Sequence, residues 1–183
     1  MDVYQECPVL SGPSFKLTRT CRSDASDLLL CYSDDRSAPL FNSDNCHGDD
    51  FRYHTIERML QAIDFWEFSY KNRYFVRWSI RRHGEDPAIG TVEMFRRTAD
   101  DDYNGVGVLR VDLRSADERP EVLDELLQLA CREFFAMFSV SRILIKAPIF
   151  ADTRRRAVLR AGGMPCQSPF IGYSDYFFFS EDE

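Results

Sequence analysis

The sequence predicts one α+β domain, a mixed central sheet flanked by helices on both faces. Three observations carry this expectation. The chain has 183 residues and a mass of 21.3 kDa, enough for one domain and its core but with little room for a second. Its apolar periodicity switches between about 3.6 and 2 residues, in the order strand, two helices, three strands, long helix, strand, helix, strand. The segment from Pro120 to about Phe138 carries two adjacent apolar stripes, a face wide enough to require burial against a sheet.

Phe15-Lys16-Leu17-Thr18 alternates as a short first strand. Ser23 stands where it could cap a helix through Tyr32, with Asp24 at the positive end and Ala25, Leu28, Leu29 and Tyr32 along one face. Ser33 to Asp50 is dense in Asp, Asn and Ser, carries Pro39 and Gly48, and reads as loop. Ile56, Met59, Leu60, Ile63 and Phe65-Trp66 recur at helical spacing and predict a second helix from about Thr55 to Lys71. Tyr74 to Arg81 changes to alternation, with Tyr74, Val76, Trp78 and Ile80 on one face and Phe75, Arg77 and Ser79 on the other. His83-Gly84-Glu85-Asp86 turns the chain into a partner strand, Ala88 to Arg96. After Asp100-Asp101-Asp102 a third strand runs from Val106 to Leu113, and Arg110 and Asp112 share one of its faces.

Pro120 suits the first turn of the long helix. Val122, Leu126, Ala130, Phe134 and Phe138 form one stripe, and Leu123, Leu127, Cys131 and Phe135 the next. Ile143-Leu144-Ile145 is a short buried strand, Thr153 to Ala161 a basic helix closed by Gly162-Gly163, and Gly172 to Phe179 the last strand. Two tight connections followed by a helical crossover predict that strands near 74–81, 88–97 and 106–113 are antiparallel. The same rule places 142–147 parallel beside 106–113. Glu181-Asp182-Glu183 reads as a frayed acidic end.

Lys and Arg number 23 against 30 Asp and Glu, a net charge of −7, which argues against non-specific binding to nucleic acid or to an anionic membrane. No stretch approaches the ~20 apolar residues of a membrane span, and Met1 to Leu10 lacks the order of a signal peptide, so the expected location is cytoplasmic. The six cysteines are irregularly spaced with no CxxC pair, which signals neither a zinc cage nor a redox motif. No metal is expected. The loop 41–50 has the look of a calcium loop, but His47 stands where the sharp-turn glycine belongs and no Glu follows at the right offset.

Several segments, in order, carry a family likeness. They are Phe15-Lys16-Leu17-Thr18-Arg19 before a Ser/Asp-capped helix and Tyr32-Ser33-Asp34, then Ala88-Ile89-Gly90-Thr91-Val92-Glu93, and then Asp152-Thr153-Arg154 through Leu159, Gly163 and Met164. With these the chain resembles the GNAT superfamily of acyl-CoA N-acyltransferases, and within it the branch that acetylates ribosomal-protein N-termini and similar amines. The resemblance spans roughly residues 14 to 179 of a single domain, 1–183. It implies acetyl-CoA as cosubstrate and a small-molecule or peptidyl amine as acceptor. The alternative is a GNAT-derived binding or regulatory protein that has lost CoA affinity. Oligomeric state is open, a homodimer included.

The family's Gly-containing pyrophosphate motif is replaced here by Leu113-Arg114-Ser115-Ala116-Asp117-Glu118-Arg119-Pro120, which has no glycine. The resemblance assigns cofactor contacts to Val111, Leu113, Arg114, Ser115, Arg119, Asp152 and Arg155, with arginine side chains, Arg154 among them, taking over from glycine amides. For catalysis the candidates are Glu93, whose half-buried strand position predicts a raised pKa, then Asp112, and Tyr173 or Tyr176 as the acid where relatives carry a tyrosine at the position of Leu159. A structural pairing of Asp112 with Arg110 and an outward, paired Glu93 are the competing readings. Asn42, Asp44, His47 and Asp49, with Asp50, would border an acceptor pocket for a cationic amine; a solvated loop capping its own turns is the alternative.

Overall fold

The computed structural model describes residues 2–181, so the last two residues of the acidic end, Asp182 and Glu183, lie outside the described residues. One eight-stranded sheet runs through the molecule. Its strands are β1 (Leu10–Ser11), β2 (Phe15–Arg19), β3 (Val76–Arg82), β4 (Ala88–Arg96), β5 (Gly107–Leu113), β6 (Arg142–Lys146), β7 (Met164–Pro165) and β8 (Tyr176–Ser180), in the spatial order β1-β2-β3-β4-β5-β6-β8-β7. The helices are α1 (Ala25–Tyr32), α2 (Ile56–Lys71), α3 (Pro120–Phe138) and α4 (Asp152–Arg160). As the connections required, β3, β4 and β5 are antiparallel neighbours, and β6 lies parallel beside β5.

The two faces of the sheet differ in chemistry because alternation sends alternate residues to opposite sides. Val76, Trp78, Ile80, Val92, Met94, Leu109, Val111 and Leu113 join the stripes of α3 and residues of α4 in one apolar core. There Trp78 stacks on Phe134 at 5.2 Å. Each such large side chain contributes roughly 1.5–3 kcal/mol of burial. The opposite face carries Arg77, Ser79, Thr91, Glu93, Arg110 and Asp112, all buried. Residues of α1 and α2 form their own cluster with Phe41, Phe51 and Tyr53 on that side.

Helix starts and stops follow local chemistry. Thr55 Oγ1 accepts the Arg58 amide and opens α2. Ser139, at φ +52°, closes α3. Gly162, at φ +88°, follows α4, and its N–H reaches the Leu159 carbonyl. Ser23 is not a cap: it sits in a 3₁₀ turn, Arg22–Asp24, that precedes α1. That turn forms because the Asp24 carboxylate is drawn to the Cys21 amide, Ser79 Oγ and Arg81. The last strand starts at Tyr176 rather than Gly172, since Phe170 and Tyr173 close a tight turn in which Ile171 and Gly172 both have positive φ.

Candidate functional site

The polar face of the sheet converges on Arg77. Its Nε donates to Glu93 Oε2 at 3.1 Å and its Nη2 also grips that oxygen. Nη1 reaches Tyr32 Oη at 2.7 Å, Thr91 Oγ1 at 2.9 Å and Asp112 Oδ2 at 3.0 Å. Tyr32 donates its hydroxyl to Asp112 at 2.7 Å. The other Glu93 oxygen accepts from Arg110 Nη1. Two guanidiniums and two carboxylates thus balance beneath α1 and α2. The competing reading that paired Asp112 with Arg110 is corrected: antiparallel register sets Glu93 opposite Arg110, so Arg110 takes Glu93 and Asp112 falls to Arg77.

The raised pKa expected for Glu93 is also corrected. Burial pushes the carboxyl up, but Arg77 and Arg110 outweigh burial and hold it below its ordinary value. Glu93 is therefore an ionised, saturated acceptor, not a base poised near neutrality.

Above this floor opens a cavity of about 530 Å³, walled by Phe51, Tyr53, Phe65, Trp66, Phe75 and Phe95. Arg77 lies 4.1 Å from the Trp66 ring centroid. Cys46 and His47 stand at its rim, and burial raises the Cys46 thiol pKa, which disfavours thiolate chemistry there. The loop supplying this rim holds three non-glycine residues with positive φ, Asn45, His47 and Phe51. Such backbone costs about 1–3 kcal/mol per residue and persists only where contacts enforce it.

Those contacts use up the acids expected to attract a cation. Asp49 accepts from Tyr53 Oη at 3.0 Å, Arg58 Nη2 at 2.6 Å and the Phe51 amide at 2.9 Å. Asp44 is buried and accepts from Lys146 Nζ at 2.7 Å and Tyr176 Oη at 2.9 Å. Asn42 Oδ1 accepts from Tyr176 Oη at 3.1 Å and the Asp44 amide at 3.2 Å. Asp50, exposed, bonds the Arg52 amide. The acidic acceptor pocket is thus replaced by an aromatic one over neutralised ions. Of the two candidate tyrosines, Tyr176 points into this network, whereas Tyr173 is 45% exposed in the turn before β8, with Lys146 Nζ 4.6 Å from its ring centroid.

Between β5 and β6 the parallel pairing stops at Leu109 and Ile145, although β5 continues to Leu113. The strands part beside the cavity floor. A mixed sheet whose parallel pair parts here, with one helix pair on each face, decides the fold. The chain has the GNAT fold.

No known protein family and no curated protein matches the sequence. Solved structures do match. Mycobacterium smegmatis RimJ in complex with CoA-disulfide superposes with a TM-score of 0.73 at 12% identity, over 94% of this chain and 87% of that one. A GNAT-family acetyltransferase from Bacillus anthracis gives 0.72 at 11% identity, over 96% and 100%. The ribosomal-protein-S5-alanine acetyltransferase of Vibrio fischeri gives 0.71 at 14% identity, over 96% and 98%.

The segment after β5 does not fit the phosphates of coenzyme A in this conformation. The Ser115 amide donates to Asp34 Oδ2 at 3.0 Å. The amides of Asp117, Glu118 and Arg119 go to carbonyls within the same turn, and Pro120 has no N–H. Burial pushes Asp34 up, but hydrogen bonds from Ser115, Arg36 and Ser37 outweigh it and hold this carboxylate below its ordinary range. The arginines expected to replace glycine amides have protein partners. Arg114 binds Asp117, Arg119 lies 3.4 Å from Glu121, Arg154 is buried against Glu118, and Arg155 donates to the Ala147 carbonyl. Val111 and Leu113 turn their side chains into the apolar core, and Asp152 is exposed in the first turn of α4. Among the described residues, no group of His, Cys, Asp and Glu could hold a metal ion, and no helix is long and apolar enough to cross a membrane.

Arg77 is the site residue that sequence reasoning missed. The available signal was an arginine inside a strand with apolar neighbours on both sides, Val76 and Trp78. Such a residue needs a buried counter-ion, and the carboxylates in reach were Glu93 on the neighbouring strand and Asp112 on the strand beyond it.

Proposed function

We propose that the chain is an acetyl-CoA-dependent N-acetyltransferase acting on a small-molecule or peptidyl amine, and that the aromatic cavity receives the acceptor. The parting of β5 and β6 beside that cavity carries this reading: a donor entering between the strands and an acceptor lying on the floor would meet at Arg110. The aromatic walls favour an amine borne on an apolar or planar body, since the nearby carboxylates are already neutralised. In this reading Arg77 and Glu93 are positioning residues that keep the floor rigid and charge-balanced.

A second reading, a GNAT-fold binding protein without acyl donor, is favoured by one observation: the amides of Ser115, Asp117, Glu118 and Arg119 are already taken, the first by Asp34 and the others by carbonyls of the same turn. Titration with acetyl-CoA, combined with a mass-spectrometric acetylation screen of amines, separates the two. Binding near micromolar and an acetylated product are expected. No binding at millimolar acetyl-CoA would select the binding protein.

A further inference from the structure

We infer that residues 34–44 are an intrasteric plug, a segment of this chain that closes the opening between β5 and β6 and must withdraw before an acyl donor enters. This rests on the N-acetyltransferase reading above.

Three staples hold the segment, and together they tie it to both parting strands. The Asp34 carboxylate takes the Ser115 amide, just beyond β5, so a carboxylate oxygen stands where a donor phosphate would need that N–H. Arg154 of α4 is buried, pairs with both oxygens of Glu118 at 2.8 Å, and donates through Nη1 to the Leu40 carbonyl at 3.1 Å. Asp44 receives Lys146 of β6 and Tyr176 of β8 on its carboxylate, and its carbonyl accepts from Arg110 of β5 at 3.2 Å. Phe41 and Asn42, between the staples, are 4% and 3% exposed.

A permanent filler would satisfy the polar groups it covers. Here Asn42 Nδ2, in the segment, and Arg110 Nε, on the side chain that reaches the Asp44 carbonyl, are buried without a partner among the described residues. Orphaned groups of this kind favour an open form in which they regain hydrogen bonds, while the staples favour the closed form. The segment therefore has two competing arrangements, and a ligand that binds the open one shifts the balance towards it. Asp34 and an anionic donor compete for the same amide, so donor binding and closure exclude each other.

The test compares the unmodified chain with the Asp34→Ala/Asp44→Ala double variant. Acetyl-CoA affinity is read by titration calorimetry, and hydrogen exchange is followed at residues 36–46. The double variant is expected to bind at least about tenfold more tightly, since closure no longer subtracts from affinity. In the unmodified chain, saturating acetyl-CoA is expected to accelerate exchange at 36–46. Equal affinity in the two chains overturns the plug and leaves the acetyltransferase reading standing. No binding to either chain at millimolar acetyl-CoA removes both. Should the double variant not fold, exchange in the unmodified chain decides: unchanged or slower exchange at saturation overturns the plug.

Discussion

Glu93 shows what a strand carboxylate becomes when two guanidiniums converge on it. Its alternation on β4 was legible, and so was its company of apolar neighbours, but neither reveals a partner on another strand. Arg77 is 16 positions away in sequence and meets Glu93 through β3–β4 register, and Arg110 does so through β4–β5 register. The pKa direction was misread for that reason: burial was inferable, and the counter-charges that outweigh it were not. Glu93→Gln should leave two buried guanidiniums short of charge and cost about 3–5 kcal/mol. In a domain of this size that lowers the melting temperature by on the order of 10 °C. A thermal melt within a degree or two of the unmodified protein would contradict the buried ion cluster. Thr55→Ala, by contrast, removes one cap from α2 and should cost about 1 kcal/mol, read as a shift in the urea midpoint.

At the scale of elements, length decided what could be read. The long helix has enough turns for its two stripes to repeat, and α3 spans the expected Pro120–Phe138. β1 and β7, with two residues each, are too short for any periodicity and went unread. Close approach between elements is also invisible in a sequence until something is added to it. At Gly90 a Cβ would lie 2.0 Å from the Asp112 carbonyl oxygen and 3.0 Å from Leu113 Cα, both main-chain atoms that cannot swing aside. Gly90→Ala should therefore part β4 from β5 and yield little soluble protein. Gly84 has positive φ but open space around its Cβ position, so Gly84→Ala should cost about 1–2 kcal/mol of backbone strain and still express. Comparable soluble yields of the two variants would argue against the β4–β5 register.

Across the whole molecule, carboxylates held by counter-charges or by hydrogen bonds set the response to acid. Glu93 and Asp34 have folded-state pKa values depressed below the ordinary values of 4.5 and 3.8. Their contributions are thus fully present above those unfolded values and are lost as pH falls through the lower folded ones. Stability should be level from about pH 5.5 to neutrality with respect to these groups and decline below about pH 4. Urea midpoints measured from pH 3 to 7 read this directly. The decline should be shallower in Glu93→Gln, and a flat profile down to pH 3 would remove the claim. The order of the four central strands was legible because connection length and handedness restrict it. The seating of residues 34–44 was not: each of its staples joins residues at least 66 positions apart.

The outermost strands of the sheet have a consequence for crowded solutions. β1 and β7 offer two residues each, and β7 includes Pro165, which has no amide hydrogen to donate. A newcomer chain therefore finds only a short run of main-chain partners along which to extend the ladder. Fibril-like stacking of intact molecules is disfavoured by the margins of the sheet themselves.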